Sequence, residues 1–166
     1  DLFLSKRGDD ENSSLYVLRR DGGEAEKILE LPYGLATPRW LPDGKSIVAQ
    51  TKVIPELVGT WSKSDLAAMK KEIKRRKDSK MTARVTENRQ YRYFDAWLTD
   101  NLASRLLVIN VATKEFRDLT PKRDYLFGNG GDAGFAIAPD GKSVALVMNS
   151  TPPPFREESN PDIYLV

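Results

Sequence analysis

The chain has 166 residues, with 26 lysines and arginines against 24 aspartates and glutamates, and it contains neither cysteine nor histidine. These two absences exclude disulfides, thiolate catalysis, a Ser-His-Asp triad and histidine-ligated metal sites within this chain, and we predict no cofactor and no metal. The net charge of +2 requires no nucleic acid partner, and no apolar run reaches the ~20 residues that span a bilayer.

Both ends of the chain read as strands, "LFLSK" at 2–6 and "DIYLV" at 162–166. The opening has no basic segment followed by an apolar core and a small-residue cleavage site. We therefore expect the chain to be a piece of a longer protein.

Two kinds of hairpin then recur along the chain. The first kind is "SLYVLRRDGGEAEKILEL" at 14–31, where alternating apolar residues lead into a Gly-Gly turn, and it returns as "RLLVINVATKEFRDLTP" at 105–121. The second kind is "WLPDGKSIVAQ" at 40–50, which returns as "IAPDGKSVALV" at 137–147. In the second kind, Pro-Asp-Gly predicts a type I turn with glycine in the left-handed conformation, joining the inner two strands of a blade.

This order of hairpins predicts the fold. The repeat from Pro42 to Pro139 spans 97 residues, and subtracting a non-repeating stretch of about 45 leaves a period of about 50, as in β-propeller blades. We predict an all-β partial β-propeller over residues 1–166, with about ten strands in about two and a half four-stranded blades. An inserted helix and aromatic loop would occupy residues 55–103.

In the insertion, a helix is predicted from a cap at Ser64 to about Lys77, with Leu66, Met69 and Ile73 on one face. Residues 63–84 carry nine lysines and arginines against three acidic residues, so the rest of the chain has a net charge of −4. Such a segment fits an anion-binding or membrane-surface patch. The narrow apolar stripe without aromatics favours instead a solvated helix that packs on the blades.

After the helix comes an aromatic cluster, "YRYFDAW" at 91–97. Its large rings fit either core packing or a recognition role. A second motif, Gly128-x-Gly130-x-x-Ala133, matches a dinucleotide fingerprint in spacing, but a strand and turn follow it where the fingerprint needs a helix. We interpret it as a loop between strands. The carboxylates of "DDE" (9–11) and "EE" (157–158) are interpreted as solvated, and no Gly-x-Ser-x-Gly elbow is present.

Beyond these features, the Pro-Asp-Gly repeats resemble the propeller repeats of TolB and of prolyl oligopeptidase family serine peptidases. The segment "ARVTENRQYRYFDAW", followed by "RLLVINVATKEFRDLTP", is similar to the dipeptidyl-aminopeptidase and acylaminoacyl-peptidase branch of that family. The resemblance implies that this chain is the non-catalytic propeller part of a serine exopeptidase. It would gate and position peptide substrate for a C-terminal α/β-hydrolase domain.

The resemblance also suggests where substrate contact or an interface would lie. The candidates are Glu87, Arg92, Asp95 and Trp97, none of which matches a family functional residue one to one. The alternative function is a TolB-like propeller that acts as a protein-interaction scaffold in the bacterial envelope. A periplasmic or secreted location is favoured over a cytoplasmic one, and open strand edges predict self-association.

Overall fold

The computed structural model describes residues 1–80, 83, 92–93, 96–97, 102–121, 134–149 and 161–166. The strands are β1 Leu2–Ser5, β2 Ser14–Val17, β3 Glu26–Leu29, β4 Ala36–Trp40, β5 Ser46–Val53, β6 Arg92–Tyr93, β7 Ala96–Trp97, β8 Ala103–Asn110, β9 Phe116–Asp118, β10 Phe135–Ile137, β11 Val144–Asn149 and β12 Pro161–Leu165. A 3₁₀ turn at Pro55–Leu57 and helix α1 at Lys63–Asp78 lie between β5 and β6.

Ten of these strands form three antiparallel sheets in chain order. The first sheet has the order β1-β2-β3, the second β4-β5-β8-β9 and the third β10-β11-β12, while β6 and β7 form a separate ribbon. Antiparallel pairing between neighbours is what short hairpin connections produce. The predicted all-β class with one helical insertion is therefore observed in the described residues.

The second sheet displays the whole repeat. Its strands β4 and β5 are the Pro-Asp-Gly hairpin, and β8 and β9 are the other hairpin type. By the same repeat, β1-β2-β3 correspond to β5-β8-β9, and β10-β11-β12 correspond to β4-β5-β8. The insertion thus separates the second and third strands of one sheet, and these two strands still pair over eight consecutive positions.

Both Pro-Asp-Gly turns have the predicted geometry. In the first, the Gly44 amide donates to the Leu41 carbonyl at 3.1 Å, and in the second the Gly141 amide donates to the Ala138 carbonyl at 2.8 Å. The φ angles of the two glycines are +62° and +69°, in the left-handed region. The Asp43 carboxylate accepts from the amides of residues 45 and 46, which fixes the loop and lowers the pKa of Asp43.

The two turns differ in their surroundings, which yields a prediction. A Cβ on Gly141 would lie 3.1 Å from Pro42 Cδ in the other turn, whereas a Cβ on Gly44 would have nothing within 4 Å. We expect Gly44→Ala to cost about 1 kcal/mol of unfolding free energy because of its positive φ. Gly141→Ala should cost about 1 kcal/mol more because proline must shift. Urea unfolding of both variants tests this, and equal losses would contradict it.

Apolar cores fill both sides of the second sheet. On one side, Ile47, Ala49, Leu107 and Ile109 are buried together with Leu15 of the first sheet. On the other side, Val48 and Leu106 are buried against Phe135, Val144, Leu146 and Met148 of the third sheet. Because side chains alternate between the faces of a strand, the consecutive apolar residues Ile47–Ala49 of β5 and Leu106–Ile109 of β8 supply both cores.

Candidate functional site

The insertion leaves and rejoins the second sheet at one point. Val53, at the end of β5, and Ala103, at the start of β8, are paired across the sheet. The Pro-Asp-Gly turn lies at the opposite end of β5, next to Ser46. The inserted segment therefore connects two paired residues, Val53 and Ala103, that a tight turn could join directly.

Helix α1 begins with a capping box, and its N-cap lies two residues before the predicted cap at Ser64. The N-cap is Ser62, whose hydroxyl accepts from the Asp65 amide at 3.1 Å, and the Asp65 carboxylate accepts from the Ser62 amide at 3.3 Å. Ser64 was the wrong choice because the reciprocal bond requires an acidic residue three positions after the cap. The Ser62 hydroxyl and the Thr60 amide, both donating to Asp65, lower its pKa to about 2.

The predicted apolar face of α1 packs on its own blade. Met69 is fully buried against Val53 and Ala103, and Leu66 packs against the same cluster, while Ile73 is half-buried. This confirms the structural interpretation of the stripe. The apolar side of the helix is therefore occupied by the protein itself.

The last turns of α1 carry its positive charge. Glu72 accepts from Arg75 at 2.7 Å and from Arg76 at 2.8 Å, and these two guanidinium groups lower the pKa of Glu72 to about 2. Lysines at 70, 71, 74 and 77 are exposed. The cations of the last turn, Arg75, Arg76 and Lys77, stabilise the helix through its macrodipole.

A second anchor, which the sequence did not predict, holds the start of the insertion. The Trp61 indole Nε1 donates to Asp118 Oδ2 at 3.0 Å, and its ring meets Phe116 edge-on with centroids 5.4 Å apart. Asp118 also accepts from the Thr120 amide and forms a buried ion pair with Arg105. Trp61 directly precedes the N-cap and packs on the same cluster as Leu66, the fourth residue of the helix, so the two form a hydrophobic staple whose spacing could have predicted this contact.

Of the predicted contact residues, two have a described backbone. Arg92 and Trp97 are paired in the ribbon of β6 and β7, next to the pair of Tyr93 and Ala96. Glu87 and Asp95 lie outside the described residues. The glycine motif at 128–133 and the carboxylates at 157–158 also lie outside them.

The carboxylates of "DDE" do not share one environment. Asp9 and Glu11 are exposed as expected, but the prediction was wrong for Asp10, which is buried. Its carboxylate forms an ion pair with Lys27 and accepts from the Tyr16 hydroxyl at 2.7 Å. Lys27, aided by Tyr16, holds the pKa of Asp10 well below its usual range, and the same bond raises the pKa of Tyr16.

This buried acid lies beside an open cavity of about 750 Å³ on the outer face of the first sheet. The Arg7 guanidinium covers the stacked rings of Phe3 and Tyr16, at 5.0 and 5.4 Å from their centroids. With Lys27 and Tyr16 both donating to it, the Asp10 carboxylate is held in its ionised form. A general acid needs a raised pKa, so this arrangement suits a structural role and not proton transfer.

The described parts of the chain hold no group of three or more histidine, cysteine, aspartate or glutamate side chains that could bind a metal ion. In those same parts, no helix has the length and apolar content to cross a membrane.

Comparison with known proteins relates the chain to peptidases. It is 31% identical over 150 residues to the uncharacterized peptidase YuxL of Bacillus subtilis, a match that covers 90% of this chain and 20% of the relative. The acylaminoacyl peptidase of Pyrococcus horikoshii matches 99% of this chain with a TM-score of 0.56 in its orthorhombic crystal form, at 13% identity. The uncomplexed structure of that peptidase gives a TM-score of 0.54 at 14% identity. No protein-family model matches the chain.

These matches have two consequences. The structural match, together with the three successive sheets, confirms the fold class as an all-β partial β-propeller. The sequence match makes the chain a peptidase-related segment. The chain spans about a fifth of the length of each protein that it matches.

Proposed function

We propose that this chain is the non-catalytic propeller part of a serine exopeptidase of the prolyl oligopeptidase family, of the dipeptidyl-aminopeptidase or acylaminoacyl-peptidase type. It gates and positions peptide substrate for a C-terminal α/β-hydrolase domain. The chain itself hydrolyses nothing, because it has no histidine to activate a serine.

One observation carries the proposal. Sequence similarity to a peptidase runs through 90% of this chain, yet four-fifths of that relative lies outside the match. A segment without a histidine base therefore needs the remaining length of such a protein for chemistry. What is left for the propeller segment is control over which substrates enter and how they are held.

Within the segment, the insertion is the best-supported place for that control. It is the main departure from the repeat, and it is anchored at its start by Trp61 on Asp118 and by Met69 on β5 and β8. These contacts hold the first part of the insertion, as far as helix α1, against the second sheet. The ribbon residues Arg92 and Trp97 are the proposed contacts with peptide, together with Glu87 and Asp95.

The experiment removes the insertion from the parent peptidase. Because Val53 and Ala103 are already paired, residues 54–102 can be replaced by Asn-Gly, which closes a two-residue hairpin. We expect hydrolysis of short dipeptidyl and acyl-aminoacyl chromogenic substrates to persist, and cleavage of long polypeptides to rise several-fold. Lys70→Ala, an exposed change on the helix, serves as the matched control and should leave both rates unchanged.

Two further outcomes bear on the proposal. Should the shortened variant fail to fold, Arg92→Ala and Trp97→Ala in the intact parent must raise KM for peptides; unchanged KM in both would overturn the contact role. Hydrolysis of the chromogenic substrates by the purified 166-residue chain would contradict its non-catalytic assignment. A parent reading frame without a hydrolase domain would favour the scaffold function instead.

A further inference from the structure

One arginine side chain joins the edges of the second and third sheets, where β4 and β10 are the first strands. Arg39 of β4 pairs with Val48 across the second sheet, so its side chain lies on the face that packs against the third sheet. There its guanidinium stacks over the Phe135 ring, 5.1 Å from the centroid, and Nη1 donates to the Phe135 carbonyl at 3.2 Å. These two contacts fix the guanidinium of a residue that is otherwise exposed.

The Phe135 carbonyl points away from its own sheet. The Gly134 carbonyl accepts from the Val147 amide at 2.7 Å, so these two residues form a hydrogen-bonded pair. The next pair along the strands, Phe135 with Leu146, is therefore a non-hydrogen-bonded pair, whose backbone groups are directed away from the partner strand. The Arg39 guanidinium thus lies at the open edge of β10.

Most of the hydrogen-bonding capacity of Arg39 is unused. A guanidinium carries five N–H donors, and the bond to Phe135 takes one of them. Among the described residues, Arg39 forms no ion pair. The repeat does not require an arginine here, because Ala136 stands at the equivalent position, three residues before the proline of the other Pro-Asp-Gly turn. An oriented guanidinium without an acidic partner is suited to an anionic ligand.

The repeat also indicates where this edge lies in a propeller. The sheets of a propeller are arranged around a central channel, and each Pro-Asp-Gly hairpin is predicted to form the inner two strands of its blade. The two turns lie close together, since a Cβ on Gly141 would be 3.1 Å from Pro42 Cδ, as expected where the inner parts of neighbouring blades converge. We therefore expect Arg39 on the wall of the channel.

We propose that Arg39 binds the C-terminal carboxylate of short peptide substrates in this channel. The inference rests on the proposed function, because dipeptidyl-aminopeptidase and acylaminoacyl-peptidase activities both release residues from the amino end of a peptide. With that end held at the hydrolase domain, the carboxyl end of the peptide extends into the propeller. The planar guanidinium offers a carboxylate two parallel N–H bonds, and its stacking on Phe135 orients it beforehand.

The test compares short peptides of increasing length, each as the free acid and as its C-terminal amide, as substrates of the parent peptidase. For lengths that reach Arg39, kcat/KM of the acid should exceed that of the amide about tenfold, mainly through KM. Arg39→Gln should abolish this preference, and Arg39→Lys, which keeps the charge but loses the planar fork, should weaken it. Arg20→Gln, which alters an exposed arginine in a turn of the first sheet, is the control and should keep the full preference.

The outcomes separate this inference from the proposed function. If the parent cleaves no peptide, the proposed function fails, and calorimetric titration with the same intact peptides then tests Arg39 by itself. Tighter binding of acids than of amides, abolished in Arg39→Gln, would support the carboxylate site. Equal treatment of acids and amides by the unaltered protein would overturn it. A preference that survives both Arg39→Gln and Arg39→Lys would also overturn it and leave Arg39 as a structural link between two sheets.

Discussion

Met69→Ala is expected to lower the free energy of unfolding by about 3 kcal/mol, the range for emptying a fully buried site. Met69 is the one residue of α1 that is completely buried in the described part of the chain, and it touches the paired residues Val53 and Ala103. Its loss leaves a cavity where the insertion meets the second sheet. The helix should then detach more readily than the strands unfold, and hydrogen exchange in α1 should rise first.

Urea unfolding followed by tryptophan fluorescence measures this effect, since Trp61 packs on the same cluster. Ile73→Ala is the matched control, because this residue lies on the same helix face but is only half-buried. We expect it to cost about 1 kcal/mol or less. Equal losses in the two variants would mean that Met69 does not anchor the insertion.

The parts of the fold that follow local rules could be predicted from sequence. Each Pro-Asp-Gly turn depends on four adjacent residues, and the backbone hydrogen bonds of Gly44 and Gly141 are those of the predicted turn. The approximate span of α1 and its apolar face follow from helical spacing in the same way. The repeat then supplied the long-range step, because a second copy of each hairpin implies an equivalent position in the next sheet.

Contacts between residues far apart in the chain could not be predicted from the sequence. The hydrogen bond of Trp61 to Asp118 joins residues 57 positions apart, and no local sequence pattern predicts it. Asp10 sits in a polar run that is typical of a solvated loop, and only the folded positions of Tyr16 and Lys27 bury it. The N-cap was misplaced for a different reason, since Ser62 and Ser64 are both good caps and only the acid three residues after Ser62 decides between them.

The candidate site likewise has a part that local sequence patterns predict and a part that depends on contacts between distant residues. The aromatic run at 91–97 marked the ribbon, where Arg92 and Trp97 are paired. The packing of Met69 follows from the predicted apolar face of the helix, whereas the bond of Trp61 to Asp118 is seen only in the tertiary structure. A residue that positions a loop looks like any apolar residue in sequence, whereas the clustered aromatics of a recognition loop stand out by composition.

The buried ion pair of the first sheet gives the final prediction, that Asp10→Asn destabilises the protein at neutral pH and much less in acid. The folded state lowers the pKa of Asp10 because Lys27 and Tyr16 both donate to its carboxylate. A carboxyl group with a lowered pKa contributes stability above its unfolded pKa of about 4 and loses that contribution as the pH falls through its folded pKa. The advantage of the unaltered chain over Asp10→Asn should therefore be full at pH 7 and shrink below about pH 4.

Thermal unfolding of the two proteins between pH 7 and pH 2 measures this difference. Asp9→Asn removes the neighbouring exposed carboxylate and is the control, with little expected change at any pH. A difference in unfolding temperature between Asp10→Asn and the unaltered chain that stays constant down to pH 2 would contradict this. It would mean that the shape of the Asp10 side chain, and not its charge, stabilises the fold. A difference that closes in acid assigns the stability to the ionised carboxylate, because the unfolded chain binds a proton on Asp10 at a higher pH than the folded protein does.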